Sequence, residues 1–114
     1  GYLVYGSVMG ILDNAKAHFD TLDTKVIDVP EWDDVIYSTP FTMGEKKTLW
    51  KFAKGDDFEF MVRTLILKAL DKDGNKMFDL SDKVAFMNNV SPDVITRVVS
   101  EISATPTIDE MAGN

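Results

Sequence analysis

Between Phe58 and Leu70, apolar residues recur at intervals of three and four, which is the strongest pattern in the chain. This spacing places side chains on one face of an α-helix. The predicted face consists of Phe58, Met61, Val62, Leu65, Ile66, Ala69 and Leu70. Phe60 and Leu67 add apolar surface elsewhere around the same helix. We therefore expect this helix to be central in its domain or to be covered by another subunit.

A polar segment at residues 71–75 should end that helix, because Gly74 accepts a positive φ and Asp and Asn side chains bond nearby backbone. Two short helices are predicted beyond it. Ser81 should cap the first, which has Phe86 on one side and, on another, Val84, Ala85 and Met87. Ser91 and Pro92 start the last helix, whose apolar stripe is Val94, Ile95, Val98, Val99 and Ile102.

Upstream of the central helix the pattern changes from helical to extended and back. Residues 11–22 have a helical stripe, bordered by His18, that consists of Ile11, Leu12, Ala15, Phe19 and Leu22. β-Branched and aromatic residues at 25–32 and 35–38 predict a β-hairpin or two short strands, in which Pro30 confines its strand to an edge or a bulge. Thr42 and Glu45 then form a capping box for a helix that ends at Gly55.

These elements predict a mainly α fold of the α+β type, with four to five short helices and a small N-terminal β-hairpin. We expect a single domain over residues 9–103 and a flexible tail over residues 104–114. Residues 1–8 either carry a cloning scar at Gly6-Ser7 or form a short apolar strand. The predicted core consists of Phe58, Val62, Leu65, Phe78, Val84, Ile95 and Val98.

Composition narrows the function. The chain has 114 residues, a formal net charge of -7, no cysteine and one histidine, His18. An acidic chain without a basic stripe does not attract nucleic acid. The missing cysteines exclude thiolate chemistry, and one histidine leaves little for general-base catalysis. No apolar run approaches the roughly 20 residues that span a membrane. We expect a protein that is not an enzyme and binds neither cofactor nor membrane.

One helix of this acidic chain is locally basic. Four lysines fall within nine residues, at Lys46, Lys47, Lys51 and Lys54. Such a group is either a solvated face or a surface that meets an acidic partner.

Residues 71–82 resemble an EF-hand calcium loop between two helices. Side-chain oxygens stand at the first three ligand positions and at the last, in Asp71, Asp73, Asn75 and Asp82. Lys76, however, occupies the position where the turn needs glycine, and Asp82 is shorter than the glutamate that grips calcium with two oxygens. A calcium-binding regulatory module is therefore the alternative hypothesis. The competing interpretation is a polar turn that delivers Phe78 to the core.

The chain has more large apolar side chains than one small core easily buries. We expect the surplus to form a partner-binding surface that comprises Trp32, Tyr37, Phe60, Leu67 and Phe86. The free edge of the hairpin offers a second route, because unpaired backbone groups accept a strand from another chain. The sequence therefore predicts self-association.

The order of these motifs resembles the tail assembly chaperones of long-tailed, siphovirus-type bacteriophages. The matching residues are Val29-Pro30-Glu31-Trp32, then Asp71-Lys72-Asp73-Gly74-Asn75-Lys76-Met77-Phe78, then Ser81-Asp82-Lys83-Val84. The resemblance extends over residues 11–103. It implies a mainly helical protein without catalytic residues.

The resemblance also implies partners and a place of action. Chaperones of this family are thought to coat the tape measure protein and keep it soluble until the major tail tube protein polymerises around it. They act in the host cell cytoplasm and are absent from the mature virion. In many relatives a frameshifted extension recruits the tube protein. A long apolar client suits such a role, because repeated copies along it add avidity.

Overall fold

The structure is a computed structural model that describes residues 10–105. Contacts divide the described residues into two units, residues 10–23 and residues 24–105. The single domain expected over residues 9–103 stays a prediction. The segment predicted at residues 1–8 and the tail beyond residue 105 lie outside the described residues.

The described part of the first unit contains one helix, α1, at Ile11–Asp20. It ends two residues before the predicted end. Thr21 and Leu22 form a turn there, in which their N–H groups donate to the carbonyls of His18 and Phe19. None of the α1 residues is buried.

The second unit contains a hairpin and four helices. In chain order these are β1 (Lys25–Val29), β2 (Asp34–Ser38), α2 (Met43–Ala53), α3 (Asp57–Lys68), α4 (Lys83–Asn89) and α5 (Pro92–Ser103). Two 3₁₀ turns, Pro30–Trp32 and Leu80–Asp82, precede β2 and α4. The five described helices and the antiparallel hairpin confirm the predicted mainly α fold of the α+β type.

The hairpin pairs Ile27 with Ile36, and Val26 with Tyr37. Because successive side chains of a strand point to opposite faces, Ile27 and Ile36 lie in the core and Val26 is 63% exposed. The first strand ends at Val29, whereas the sequence predicted that it runs to residue 32. Pro30 ends it because proline has no N–H for the ladder and has the φ of a 3₁₀ turn.

A tight turn at residues 69–77 pairs with β2 on the side away from β1. The N–H groups of Tyr37 and Leu70 each donate to the other's carbonyl at 2.8 Å, and Leu70 also bridges to Lys76. Gly74 has the expected positive φ, at 86°. Because Leu70 bonds a strand, α3 ends at Lys68, two residues earlier than its periodicity predicts.

The helix caps follow the sequence in part. Thr42 and Glu45 form the predicted capping box, with both hydrogen bonds at 3.0 to 3.1 Å. Ser81, in contrast, does not cap α4, although the sequence predicted that it would. Asp79 accepts from the N–H of Ser81, and Asp82 accepts from the N–H of Asp79, each at 2.9 Å. Pro92 is the first residue of α5, as predicted.

The core lies where α3, α4 and α5 meet the hairpin. Its buried members are Ile27, Val29, Ile36, Val62, Leu65, Ala69, Phe86, Ile95, Val98, Val99 and Ile102. Val62, Leu65, Ile95 and Val98 are therefore buried as predicted. Phe78 is half-buried and packs against this core.

The core prediction is wrong for Phe58 and Val84, which are exposed, and Phe86, which was predicted to lie on the surface, is buried. Phe58 is 70% exposed, because it lies one turn before Val62 at an end of the α3 stripe that the described residues leave open. Val84 is 69% exposed, whereas Phe86 on the same helix is 7% exposed. A helix of seven residues turns only a narrow face inward, and in α4 that face holds the larger side chain.

A buried lysine joins α2 to α3, which the sequence did not indicate. Lys68 is 2% exposed. Its Nζ donates to Glu45 Oε1 at 2.9 Å, to Thr39 Oγ1 at 3.1 Å and to the Pro40 carbonyl at 3.4 Å. The same Nζ lies 4.8 Å from the centroid of the Phe41 ring. The ammonium thus exchanges water for three acceptors and an aromatic face.

We expect Leu65→Ala to lower the free energy of unfolding by about 2–5 kcal/mol, because a completely buried leucine leaves a cavity when it is truncated. Leu80→Ala is the matched control, since Leu80 is 57% exposed and its truncation should cost less than about 0.5 kcal/mol. Urea unfolding measures both. Equal losses in the two variants would mean that the core is misplaced.

The Glu45–Lys68 pair should make stability depend on pH. Burial alone would raise the pKa of Glu45, but hydrogen bonds from Lys68 and Thr42 outweigh it and hold that pKa below its usual value of 4.5. The stabilisation is therefore complete above pH 4.5 and is lost as the pH falls through the lower folded value.

Thermal unfolding of the wild type and Glu45→Gln between neutral and acid pH checks this prediction. The glutamine variant keeps a capping side chain but loses the charge. The difference in Tm between the two proteins should be largest near neutral pH and vanish in acid. A difference that does not change with pH would contradict the assigned pair.

Candidate protein-binding site

An apolar groove separates the hairpin from α4. Its volume is about 490 Å³, and we call it the hairpin groove. Its lining residues are Val29, Trp32, Asp34, Ile36, Met77, Phe78, Asp82, Ala85, Phe86 and Val90. Two of them, Asp34 and Asp82, are acidic, and Ala85 is exposed. The groove is therefore an apolar surface with carboxylates among its lining.

Aromatic rings form one wall of the hairpin groove. Phe78 and Phe86 meet edge to face, with centroids 4.8 Å apart and planes at 88°. Trp32 lies at a tilt, 6.3 Å from Phe86. Edge-to-face contacts fix ring orientation and add to burial. This wall is consequently set before any partner arrives.

A second groove opens between α3, α4 and α5, and we call it the methionine groove. Its volume is about 430 Å³, and its lining is Asp56, Phe58, Met61, Val62, Phe86, Met87, Val90, Pro92, Ile95 and Thr96. Met87 is 40% exposed, and Phe58 is 70% exposed. Methionine side chains adapt their shape to varied apolar partners. This groove therefore has the chemistry of a site for an apolar helix.

A third apolar surface lies on α2. Trp50 is 75% exposed, and Lys46 and Lys47 precede it by four and three residues, the spacing of neighbours on a helix. We call these three residues the lysine–tryptophan face. Lys46 and Trp50 of this face also line a pocket of about 230 Å³ together with Phe60. Leu49, Trp50, Phe52 and Ala53 are apolar residues of α2, and nothing in the sequence indicates that Trp50 stays outside the core.

The structure separates the five residues predicted to bind a partner. Phe86 is buried, so the expectation that it lies outside the core is wrong, although it still lines both grooves. Trp32, Tyr37, Phe60 and Leu67 are half-buried. Trp32 lines the hairpin groove, and Tyr37 pairs with Leu70. Their role in binding stays a prediction.

Ion pairs hold the elements that form these surfaces. Glu59 Oε2 on α3 lies 2.6 Å from Lys83 Nζ on α4 and 2.6 Å from Arg63 Nε. Hydrogen bonds from Lys83 and then Arg63 lower the pKa of Glu59. On the other side, Arg97 of α5 grips both oxygens of Glu31 at 2.7 and 3.1 Å. These pairs fix α4 and α5 beside the grooves.

Two carboxylates of the predicted calcium loop, those of Asp71 and Asp82, have structural partners. Asp71 Oδ1 accepts from the N–H groups of Asp73 at 2.8 Å and Asn75 at 3.0 Å, and these bonds lower the pKa of Asp71. Asp82 caps the turn that starts at Asp79. Within residues 10–105, no group of three or more histidine, cysteine or acidic residues is arranged to hold a metal ion.

No protein-family model, curated protein or solved structure matches this chain. Among the described residues, no helix combines the length and the apolar character that crossing a membrane requires.

We expect calcium to leave the stability of this protein unchanged. A sensor site with a Kd of about 10 µM would add about 2.7 kcal/mol at 1 mM calcium, because a ligand that binds the folded state stabilises it by mass action. Differential scanning calorimetry with and without 1 mM calcium, with magnesium as the control, measures the effect. A clear rise in Tm with calcium that Asp73→Ala abolishes would support the EF-hand hypothesis.

Proposed function

We propose that this protein is a phage tail assembly chaperone that binds apolar helical segments of the tape measure protein in the methionine groove. The open, methionine-lined groove between α3, α4 and α5 is the observation that carries the proposal. In this role the protein acts in the host cytoplasm, promotes tail tube polymerisation and leaves before the virion is complete. The tail tube protein is its second partner, recruited through a frameshifted extension.

The groove suits a helical client for three reasons. It lies between helices, where an amphipathic helix buries its apolar face. Phe58 and Met87 are exposed at its surface, so part of its apolar area faces water. Its floor includes Val62 and Ile95, which are fixed in the core, and fixed walls lower the entropic cost of binding.

The order of elements agrees with the role that the sequence resemblance implies. The elements follow one another in the order that the resemblance expects: the hairpin, the capped lysine-rich helix, the central helix with its polar turn, and the two short helices. A single groove of this size holds only a few client side chains, so one contact is weak. Many copies along one long client would combine weak contacts into avidity.

Co-expression with the tape measure protein tests the proposal. The soluble yield of the tape measure protein should rise when this chain is present. Phe58→Glu should weaken client binding at least about tenfold, because a charge replaces an apolar anchor at the groove. Phe58 lies in the first turn of α3, where a carboxylate suits the helix dipole, so we expect the variant to fold.

Leu80→Glu is the matched control. Leu80 is 57% exposed and does not line the methionine groove, so this variant should solubilise the client as the wild type does. An unchanged yield of soluble tape measure protein, with or without this chain, would refute the chaperone proposal. Equal activity of Phe58→Glu and the wild type would place the client elsewhere.

A further inference from the structure

The hairpin groove and the lysine–tryptophan face are complementary in shape and charge. One is an apolar groove of about 490 Å³ with Asp34 and Asp82 in its lining. The other projects an indole that is 75% exposed, next to Lys46 and Lys47 on the same helix. A protruding aromatic ring beside cations is the counterpart of an apolar groove beside carboxylates.

We propose that these two surfaces bind each other between copies of this chain. Trp50 of one copy enters the hairpin groove of the next copy, and the α2 lysines pair with Asp34 and Asp82 there. The proposal rests on the geometry of a single chain and does not depend on the client proposed above.

Charge favours a second copy in this orientation. The chain has a formal net charge of -7, so two copies repel each other in most orientations. The α2 lysines form a basic surface on this acidic chain, and placing them against the carboxylates of another copy replaces repulsion with attraction. Surface lysines alone would not indicate a contact, because they are stable in water. Trp50 strengthens the argument, because burying its apolar ring is favourable in free energy.

The contact joins different surfaces on the two copies. The lining of the hairpin groove includes neither Trp50 nor the lysines beside it, so one copy can use both surfaces at once. Such a head-to-tail contact does not stop at a dimer, and it continues into chains or closes a ring. The two grooves share Phe86 and Val90 in their lining, but neither Trp50 nor Ala85 lines the methionine groove.

Sedimentation of the full chain tests the proposal. One aromatic anchor buries less area than a stable dimer interface needs, so association should appear only at high protein concentration. The weight-average mass should rise past that of a dimer with increasing concentration, and added salt should lower it because salt screens the ion pairs.

Two variants remove one surface each. Trp50→Ala removes the anchor, and Ala85→Arg fills the groove and neutralises its carboxylates. Each should lower the association constant at least about tenfold. Met43→Ala and Val84→Arg are the matched controls, because each changes an exposed residue of the same helix, 82% and 69% exposed, that does not line the groove. Both controls should associate as the wild type does.

A mixture of the two defective variants gives the sharpest result. Trp50→Ala keeps an open groove and Ala85→Arg keeps the anchor, so the mixture should form a 1:1 dimer that does not grow further. A wild type that stays monomeric or stops at a dimer would overturn the proposal. Oligomers that persist in both variants would overturn it too. Client solubility is measured separately, so either proposal can fail without the other.

Discussion

The buried ammonium of Lys68 is the interaction on which the positions of α2 and α3 depend. It donates a hydrogen bond to Glu45 in the first turn of α2. It also donates to Thr39 and to the Pro40 carbonyl, both in the segment between β2 and α2. Glu45 therefore serves twice, because it also closes the capping box with Thr42. A buried charge of this kind tolerates little displacement, since loss of the Glu45 carboxylate leaves an uncompensated cation.

Phe86 connects the core with both grooves. Its ring packs near Phe78 and Trp32, and the residue lines both the hairpin groove and the methionine groove. One rigid ring thus forms part of two binding walls. Packing that is this tight transmits small displacements, so a partner that moves the ring from one groove also changes the shape of the other.

Much of the fold could be predicted from local signals, because these act within a few residues. The capping box at Thr42, the proline start at Pro92 and the glycine turn at Gly74 depend on adjacent backbone. Predictions that depend on distant partners did worse. The end of α3 is set by Tyr37 in β2, and Phe86 packs near Trp32, which is far away in sequence. The spacing of hydrophobic residues along the sequence carries no information about those contacts.

The candidate sites show the same division between local and distant information. The sequence of α2 includes apolar residues such as Trp50. Whether Trp50 is buried depends on whether another element of the fold packs over it. Phe58 is the clearest case, since it belongs to the predicted stripe and still faces water at the uncovered end of the helix. Hydrophobic spacing identifies which residues can bury surface together. It does not identify which of them bury it within one chain and which leave it for a partner, and the exposed members of a correct stripe are therefore the residues to test for binding.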